Sequence, residues 1–445
     1  MLVYARKKIE YHGRSKQIVE LGIALGRFAG PLLLRMAPVI FFSAILGMIL
    51  FSWIVARFVN PHVPWFVRDV IAITGIILFV SLVAITGIWG ERKISGRMQS
   101  RLGPMRTGGW HGWAQSLADG LKFIQKEDLI PKSADGMMFR LAPYITLVPA
   151  IVAFAAIPFG VDWVYRNLDV SLLFVLAMLG IEVLGVVLAG WASNNKWGLY
   201  GAMREACQLV SYEIPMCMSL LVPVMTVGSI DLIDLGQAQT GGWFHWLIFR
   251  NPFIFLSFFS YYIASLASCK RAPFDLPEGE SELVAGFHTE YSGFRFTIFF
   301  FAEYTVMFIV SALATIIFFG GWNSPFGDRT GGPLWFIAKC GALIFVQMWI
   351  RWTLPRIRID QVMHACVKYL LPFTMAVFIG SSLWQLFVSQ TFVTFALISR
   401  YILGTFALGM LGILMLAFYV VWAVFGYMNS PLLLGRLARK HLPGA

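Results

Sequence analysis

The feature that most restricts this chain is a series of uninterrupted apolar runs, each of a length that crosses a bilayer. The run from Val70 to Trp89 carries no charged residue at all. A hydrocarbon core of about 30 Å takes about 20 residues of helix. Inside it every backbone N–H and C=O must find a partner, which leaves only helices or closed barrels. Barrel strands alternate polar and apolar residues, and these runs do not. The chain is therefore read as an all-α polytopic membrane protein. Similar runs occupy Pro38 to Val59, Pro143 to Phe159, Ser171 to Gly190, Val210 to Val227 and Phe253 to Ser268. Phe296 to Ile317, Leu334 to Trp352, Tyr369 to Val388 and Ile398 to Phe425 complete a set of about ten passes. No internal repeat of the kind common in secondary transporters is visible. Composition agrees: 58% of residues are hydrophobic and 13% charged, a balance foreign to a soluble domain of 445 residues.

An even number of passes returns both ends to one side, and charge says which. With the N-terminus inside, the connectors 91–140, 191–209, 270–295 and 353–368 and both tails hold nearly all Lys and Arg. The opposite connectors keep isolated cations such as Arg68, Arg166, Arg250 and Arg329. This is the positive-inside pattern, and it predicts both termini on the cytoplasmic side, or on the matrix side in an organelle. The net charge of +12 is thus a record of topology and gives no reason to expect a nucleic-acid partner. The basic stretch 1–36 lacks a small-residue cleavage site after an apolar run, so it does not read as a removed signal peptide. The stretch Trp113 to Phe123 is amphipathic and suits the membrane interface.

Redox and nucleotide chemistry find little foothold. Cys207, Cys217, Cys269, Cys340 and Cys366 form no C-x-x-C pair, and the seven histidines show no metal-ligand spacing. Neither a G-x-G-x-x-G nor a Walker A sequence is present. No flavin, iron–sulfur cluster or metal is expected on this chain.

The acidic residues are more informative. Between two apolar runs lies Lys270-Arg271-Ala272-Pro273-Phe274-Asp275-Leu276-Pro277-Glu278-Gly279-Glu280-Ser281-Glu282, followed by Glu290. A solvated turn is the ordinary explanation of a polar connector. Yet Asp275, Glu278, Glu280 and Glu282 are crowded together with Arg271 as the nearest cation, and crowded carboxylates raise one another's pKa. Glu182 lies in the middle of an apolar run, Glu303 falls inside another, and Glu205 and Glu213 flank the start of a third. Glu91-Arg92-Lys93 closes a fourth. A carboxyl at membrane depth is costly unless neutral or paired, and by default marks a proton or ligand path. Taken singly, each is equally a neutral acid hydrogen-bonded to a neighbouring helix. Their number argues for a coupled set, whose titration belongs to the group.

These residues, in this order, resemble the family of quinone-channel subunits of respiratory complex I, the H subunits of the bacterial NADH–quinone oxidoreductase. The resemblance rests on Gly90-Glu91-Arg92-Lys93, Gly96 to Pro104, Leu117-Ala118-Asp119-Gly120-Leu121-Lys122 and Lys126-Glu127-Asp128. It continues through Gly190 to Lys196, Ser211-Tyr212-Glu213, Arg271 to Tyr291 and Arg351-Trp352-Thr353-Leu354-Pro355-Arg356. It covers roughly 70–390 and implies a core of about eight helices there. Residues 1–69 and 391–445 would each add a helix as terminal extensions.

The resemblance implies the membrane half of a quinone chamber, roofed by peripheral iron–sulfur subunits and continued into a proton-pumping arm. It places Glu91, Arg92, Asp119, Lys122, Arg271 and Asp275 at the quinone chamber. Glu213, Glu278, Glu280, Glu282 and Glu290 belong by the same resemblance to its acidic funnel, and Glu182, Glu205 and Glu303 join them as proton-coupling acids on the strength of their own positions. The substrate would be ubiquinone or menaquinone, and the partners the peripheral quinone-site subunits, small membrane-arm subunits and membrane lipid. The chain would not be catalytic alone.

Two departures stand out. Where the family has an Ala-Glu-Thr-Asn-Arg-type stretch, this chain reads Ala267-Ser268-Cys269-Lys270-Arg271, with Ser268 in the place of the acid. Met105-Arg106-Thr107-Gly108-Gly109 also departs from the usual Asn-Arg-Val-Gly-Pro. Glu205 either supplies the missing charge from another helix or is a solvated connector acid beside a tolerated Ser268. Two other readings of the whole chain are a homologous component of a membrane-bound hydrogenase or ferredoxin-linked complex, and a stand-alone ion or solute transporter.

Overall fold

A computed structural model describes residues 65–327 and 332–387. The expected passes Pro38 to Val59 and Ile398 to Phe425, with both terminal extensions, lie outside the described residues. The described elements are helical: α1 (Trp65–Met98), α2 (Gln115–Gln125), α3 (Gly136–Ala153), α4 (Ser171–Ala192), α5 (Lys196–Val227), α6 (Leu232–Gln237) and α7 (Leu247–Arg250). Then follow α8 (Pro252–Ser268), α9 (Glu280–Leu283), α10 (Gly293–Phe318), α11 (Pro333–Thr353), α12 (Ile359–His364) and α13 (Leu371–Phe387). A π-helical turn, Ala365–Leu370, joins the last two. Seven of the described helical segments are long and apolar enough to cross a membrane. An eighth, α8, is as apolar but shorter, at 17 residues. Every expected pass within the described residues is thus a helix.

The bundle is built around α10. From Ala302 to Phe318 each of its residues is buried, because α1, α3, α8 and α11 pack around it. The outer helices keep an apolar face outward, as α3 does with Met137, Leu141, Tyr144, Val148 and Val152. A soluble protein would hide that stripe, whereas a membrane helix turns it to lipid. Side-chain caps fix several helix starts. Asp135 accepts from the backbone N–H of Met137 at 3.1 Å, and Asn195 from that of Trp197 at 3.1 Å.

Two of the boundaries that differ from expectation move acids. Helix α1 does not stop at Trp89 but runs to Met98, so Glu91 lies inside the helix and is buried. Helix α5 begins at Lys196 rather than Val210, and Glu205 is fully buried within it. Glu205 is therefore not a solvated connector acid. The reason is packing: Gly198, Gly201, Ala202, Glu205, Gln208 and Tyr212 recur every three or four residues and form the buried stripe of α5.

Candidate functional site

The connector between α8 and α10 is pinned where the ends of several helices meet. Gln208 of α5 donates from Nε2 to the carbonyls of Ala267, at 2.8 Å, and Phe274, at 3.0 Å. Gly201 lets α5 come close: a Cβ there would meet the Phe287 nitrogen and the Pro277 oxygen at 2.7 Å. Tyr291 stacks on Phe139 of α3 with ring centroids 4.0 Å apart. The connector is buried along much of its length, not looped into solvent.

Its first two side chains diverge. Lys270 has φ 53°, the left-handed region that non-glycine residues seldom occupy. Lys270 and Arg271 then serve two separate ion systems. The Lys270 ammonium donates to Glu182 Oε1 of α4 at 2.6 Å and lies 3.7 Å from Glu205 Oε1 of α5. Burial would strip its proton, but the charges of Glu182 and Glu205 hold its pKa above the ordinary lysine range.

Arg271 turns toward α1 and α10. Its Nη1 is 3.2 Å from Glu91 Oε2, and its Nη2 is 3.2 Å from Glu303 Oε2. The guanidinium also lies 4.4 Å from the centroid of the Tyr304 ring. The Tyr304 hydroxyl donates to Glu91 Oε2 at 2.5 Å. Arg351 of α11 pairs with the other oxygen of Glu91. Glu91 is thus held by two guanidinium groups and a phenol inside an apolar bundle.

Glu303 joins this system to a third. His288 Nε2 lies 3.9 Å from Glu303 Oε1 and 3.2 Å from Glu278 Oε1, among the rings of Phe287, Phe296, Phe299 and Phe300. Burial disfavours an imidazolium, yet the two carboxylates outweigh it and raise the His288 pKa. Burial likewise pushes Glu278 up, but His288, Arg271 and Lys270 hold it below the usual carboxylate range. Asp275 moves the other way: burial, then the charges of Glu278 and Glu303, raise it to about 7.

The outcome is two buried ion systems rooted on adjacent residues: Lys270 with Glu182 and Glu205, and Arg271, Arg351 and His288 with Glu91, Glu303 and Glu278. Buried ion pairs are weak stabilisers, since desolvation offsets their attraction. A chain that assembles so many has a use for charge. The ligand atoms of Glu278, His288 and Glu303 lie within 4.8 Å of one another, a grouping that suits a metal ion. The guanidinium 3.2 Å from Glu303 already supplies positive charge there.

The remaining expected residues lie apart. Arg92 pairs with Asp119 of α2 at the outer edge of the bundle, where Gln115 also donates to Asp119 at 3.1 Å. Lys122 is exposed, its ammonium 5.2 Å from the Phe123 ring centroid. Glu213 is half-buried and makes no ion pair among the described residues. Exposed Glu282 pairs with Arg204 at 2.6 Å and borders an open groove of about 420 Å³. Trp197, Tyr200, Met203, Arg204, Cys207, Leu283 and Ile359 complete that groove, and none of the six residues expected at the quinone chamber lines it. Glu290 accepts from Asn195 Nδ2 at 2.5 Å. Glu280 opens α9.

Four residues of the network had no assigned role from sequence: Lys270, His288, Tyr304 and Arg351. Lys270 and Arg351 were within or beside the recognised motifs, and Tyr304 adjoins Glu303. His288 carried no signal of its own, since its partners are brought to it by the turn of the connector.

Comparison with known proteins follows the same lines. A family model described as NADH dehydrogenase matches residues 71–382. The H subunit of the NADH-quinone oxidoreductase of Chlorobium luteolum is 48% identical over 327 residues, covering 70% of this chain and 88% of its own length. Its namesake from Chlorobaculum parvum is 48% identical over 338 residues, covering 72% and 94%. That of Anaeromyxobacter dehalogenans is 40% identical over 353 residues, covering 74% and 85%.

Proposed function

Because this chain belongs to the NADH dehydrogenase family of membrane subunits, we propose that it is the H subunit of an NADH–quinone oxidoreductase. In that role it supplies the wall of a quinone chamber and couples quinone reduction to proton translocation. The observation that carries the reading is the buried network joining the connector to acids on α1, α4, α5 and α10. Reduction of a quinone to quinol takes up two protons, and the site must restore its charge in each turnover. A chain of coupled carboxyls and fixed cations converts such a local change into shifts of protonation further along.

Glu91 and Arg271 form the inner wall of the chamber, and Arg92 and Asp119 its outer edge. Asp275, Glu278, His288 and Glu303 pass the change in charge inward, and Glu182 and Glu205 receive it. Glu280, Glu282 and Glu290 lie along the cytoplasmic approach, with Lys122 and Glu213 at its flanks. The redox cofactors belong to partner chains, and this chain contributes binding and electrostatics. Partners are the peripheral quinone-site subunits and the small membrane-arm subunits. The chain sits in the bacterial inner membrane with both termini cytoplasmic, and residues 70–390 form the common core between two terminal extensions. The names of the relatives do not favour the hydrogenase or transporter readings.

The test is gentle detergent purification through this chain, followed by activity in the recovered complex. In an assembled complex Arg271→Ala lowers quinone-linked turnover while electron entry to an artificial acceptor in the peripheral arm persists. Equal loss of both activities sinks the local role of Arg271. Recovery of the chain alone, active as an ion carrier, sinks the reading as part of a complex.

A further inference from the structure

Apart from the Arg271 system, α4, α5 and the end of α8 enclose two carboxyls around one ammonium. Glu182, Glu205 and Lys270 are 2%, 0% and 4% exposed. Glu182 takes a hydrogen bond from Lys270 at 2.6 Å, whereas Glu205 stands 3.7 Å from the same nitrogen. Both oxygens of Glu205 are buried and receive no hydrogen bond from the protein. With both acids ionised, the trio would hold an uncompensated negative charge in an apolar interior, and Glu303 adds further repulsion. A single proton removes that excess. The proton goes to the carboxyl without a hydrogen-bond donor, because ionised Glu182 already has the stronger partner.

We propose that Glu182, Lys270 and Glu205 form a buried site for one exchangeable proton, with Glu205 as the carrier and Lys270 as the positioning residue that keeps Glu182 ionised. The inference deepens the proposed function and rests on it for the use made of the proton. It also accounts for Ser268. The missing acid is not simply restored from α5: Glu205 comes with a lysine two residues beyond Ser268, so the site has two acids and a fixed cation. Tyr212, two turns along the same buried face of α5 as Glu205, is also buried. The charged groups facing Glu205 are Lys270, Glu182 and Glu303. Filling or emptying Glu205 therefore changes the potential at Glu303, which is the junction to Arg271 and His288.

The experiment uses the assembled complex in sealed vesicles and two readouts: protons translocated per electron pair, and infrared difference spectra in the carboxylic-acid carbonyl region. Glu205→Gln removes one protonated-carboxyl band and lowers the proton-to-electron ratio at least about twofold. Glu205→Asp keeps the charge and the fold, moves the band and retains pumping. Glu182→Asp, which keeps the charge balance of two acids around one cation, leaves the Glu205 band in place. Lys270→Met adds a second band, because Glu182 then also takes a proton. The double variant Lys270→Met/Glu182→Gln returns the site to one protonated acid and one band. A lost or shifted band in Glu182→Asp, no second band in Lys270→Met, or an unchanged ratio and spectrum in Glu205→Gln each overturns the proposal. The infrared readout does not depend on quinone chemistry. A parent complex without quinone reductase activity would refute the proposed function, while the bands would still decide the proton site.

Discussion

Asp275→Asn is a substitution that removes a charge and is expected to stabilise. Burial, with the charges of Glu278 and Glu303, raises the Asp275 carboxyl from its ordinary 3.8 to about 7. At about 1.36 kcal/mol per tenfold change in proton affinity, the folded protein disfavours ionised Asp275 by roughly 4 kcal/mol. The folded state binds the proton more tightly than the unfolded state, so stability falls as pH rises. The penalty is absent below about pH 4, grows through the interval up to about 7 and is complete above it. Asparagine keeps the shape and never ionises. Melting of the assembled complex, measured for parent and variant at several pH values, should show the advantage of Asp275→Asn growing by roughly 3 kcal/mol between about pH 5 and 8. Glu278 and His288 titrate in both proteins, so their contributions largely cancel in the comparison. A difference that stays constant with pH, or shrinks toward alkaline pH, refutes the reasoning.

Other expectations follow from single contacts. His288→Gln removes the group bridging Glu278 and Glu303, which then repel without a cation between them. The cost is about 3 kcal/mol at neutral pH, and its disappearance in the His288→Gln/Glu278→Gln double variant is the check. Gly201→Val drives a side chain into the backbone of Phe287 and Pro277. It should block assembly outright, and a complex recovered at normal yield would show that α5 need not approach the connector so closely. Reporter fusions at both termini should report the cytoplasmic side, and a periplasmic C-terminus would end the ten-pass topology.

Much of this architecture was legible because hydropathy is a direct record of the solvent. The run Val70 to Trp89 could be nothing but a span, and the eight expected passes that fall in the described residues are helices. What hydropathy missed was the first part of α5. Lys196, Arg204, Glu205 and Gln208 depress the average there, although Gly198, Gly201, Ala202 and Tyr212 mark a buried face at helical spacing. A helix that buries small and polar residues against protein does not look like a membrane helix until its neighbours are known. The acids were readable as a group for the same reason that soluble loops seldom concentrate them. Their cations were not. Lys270 sits beside Arg271 in sequence yet serves a different set of acids, and only the left-handed backbone at residue 270 reveals it. His288 became meaningful once the turn of the connector carried it between Glu278 and Glu303.

Lys270 and Arg271 are neighbours along the chain, so their α-carbons are about 3.8 Å apart across one rigid peptide unit. One grips Glu182 on α4, and the other grips Glu91 on α1 and Glu303 on α10. A displacement of that one peptide unit therefore acts on the roots of both grips. A shift of that peptide unit moves the base of both side chains, as the arms of a rocker share an axle. Pulling on the connector would then reach α4 on one hand and α1 and α10 on the other, with no wire of contacts running between them.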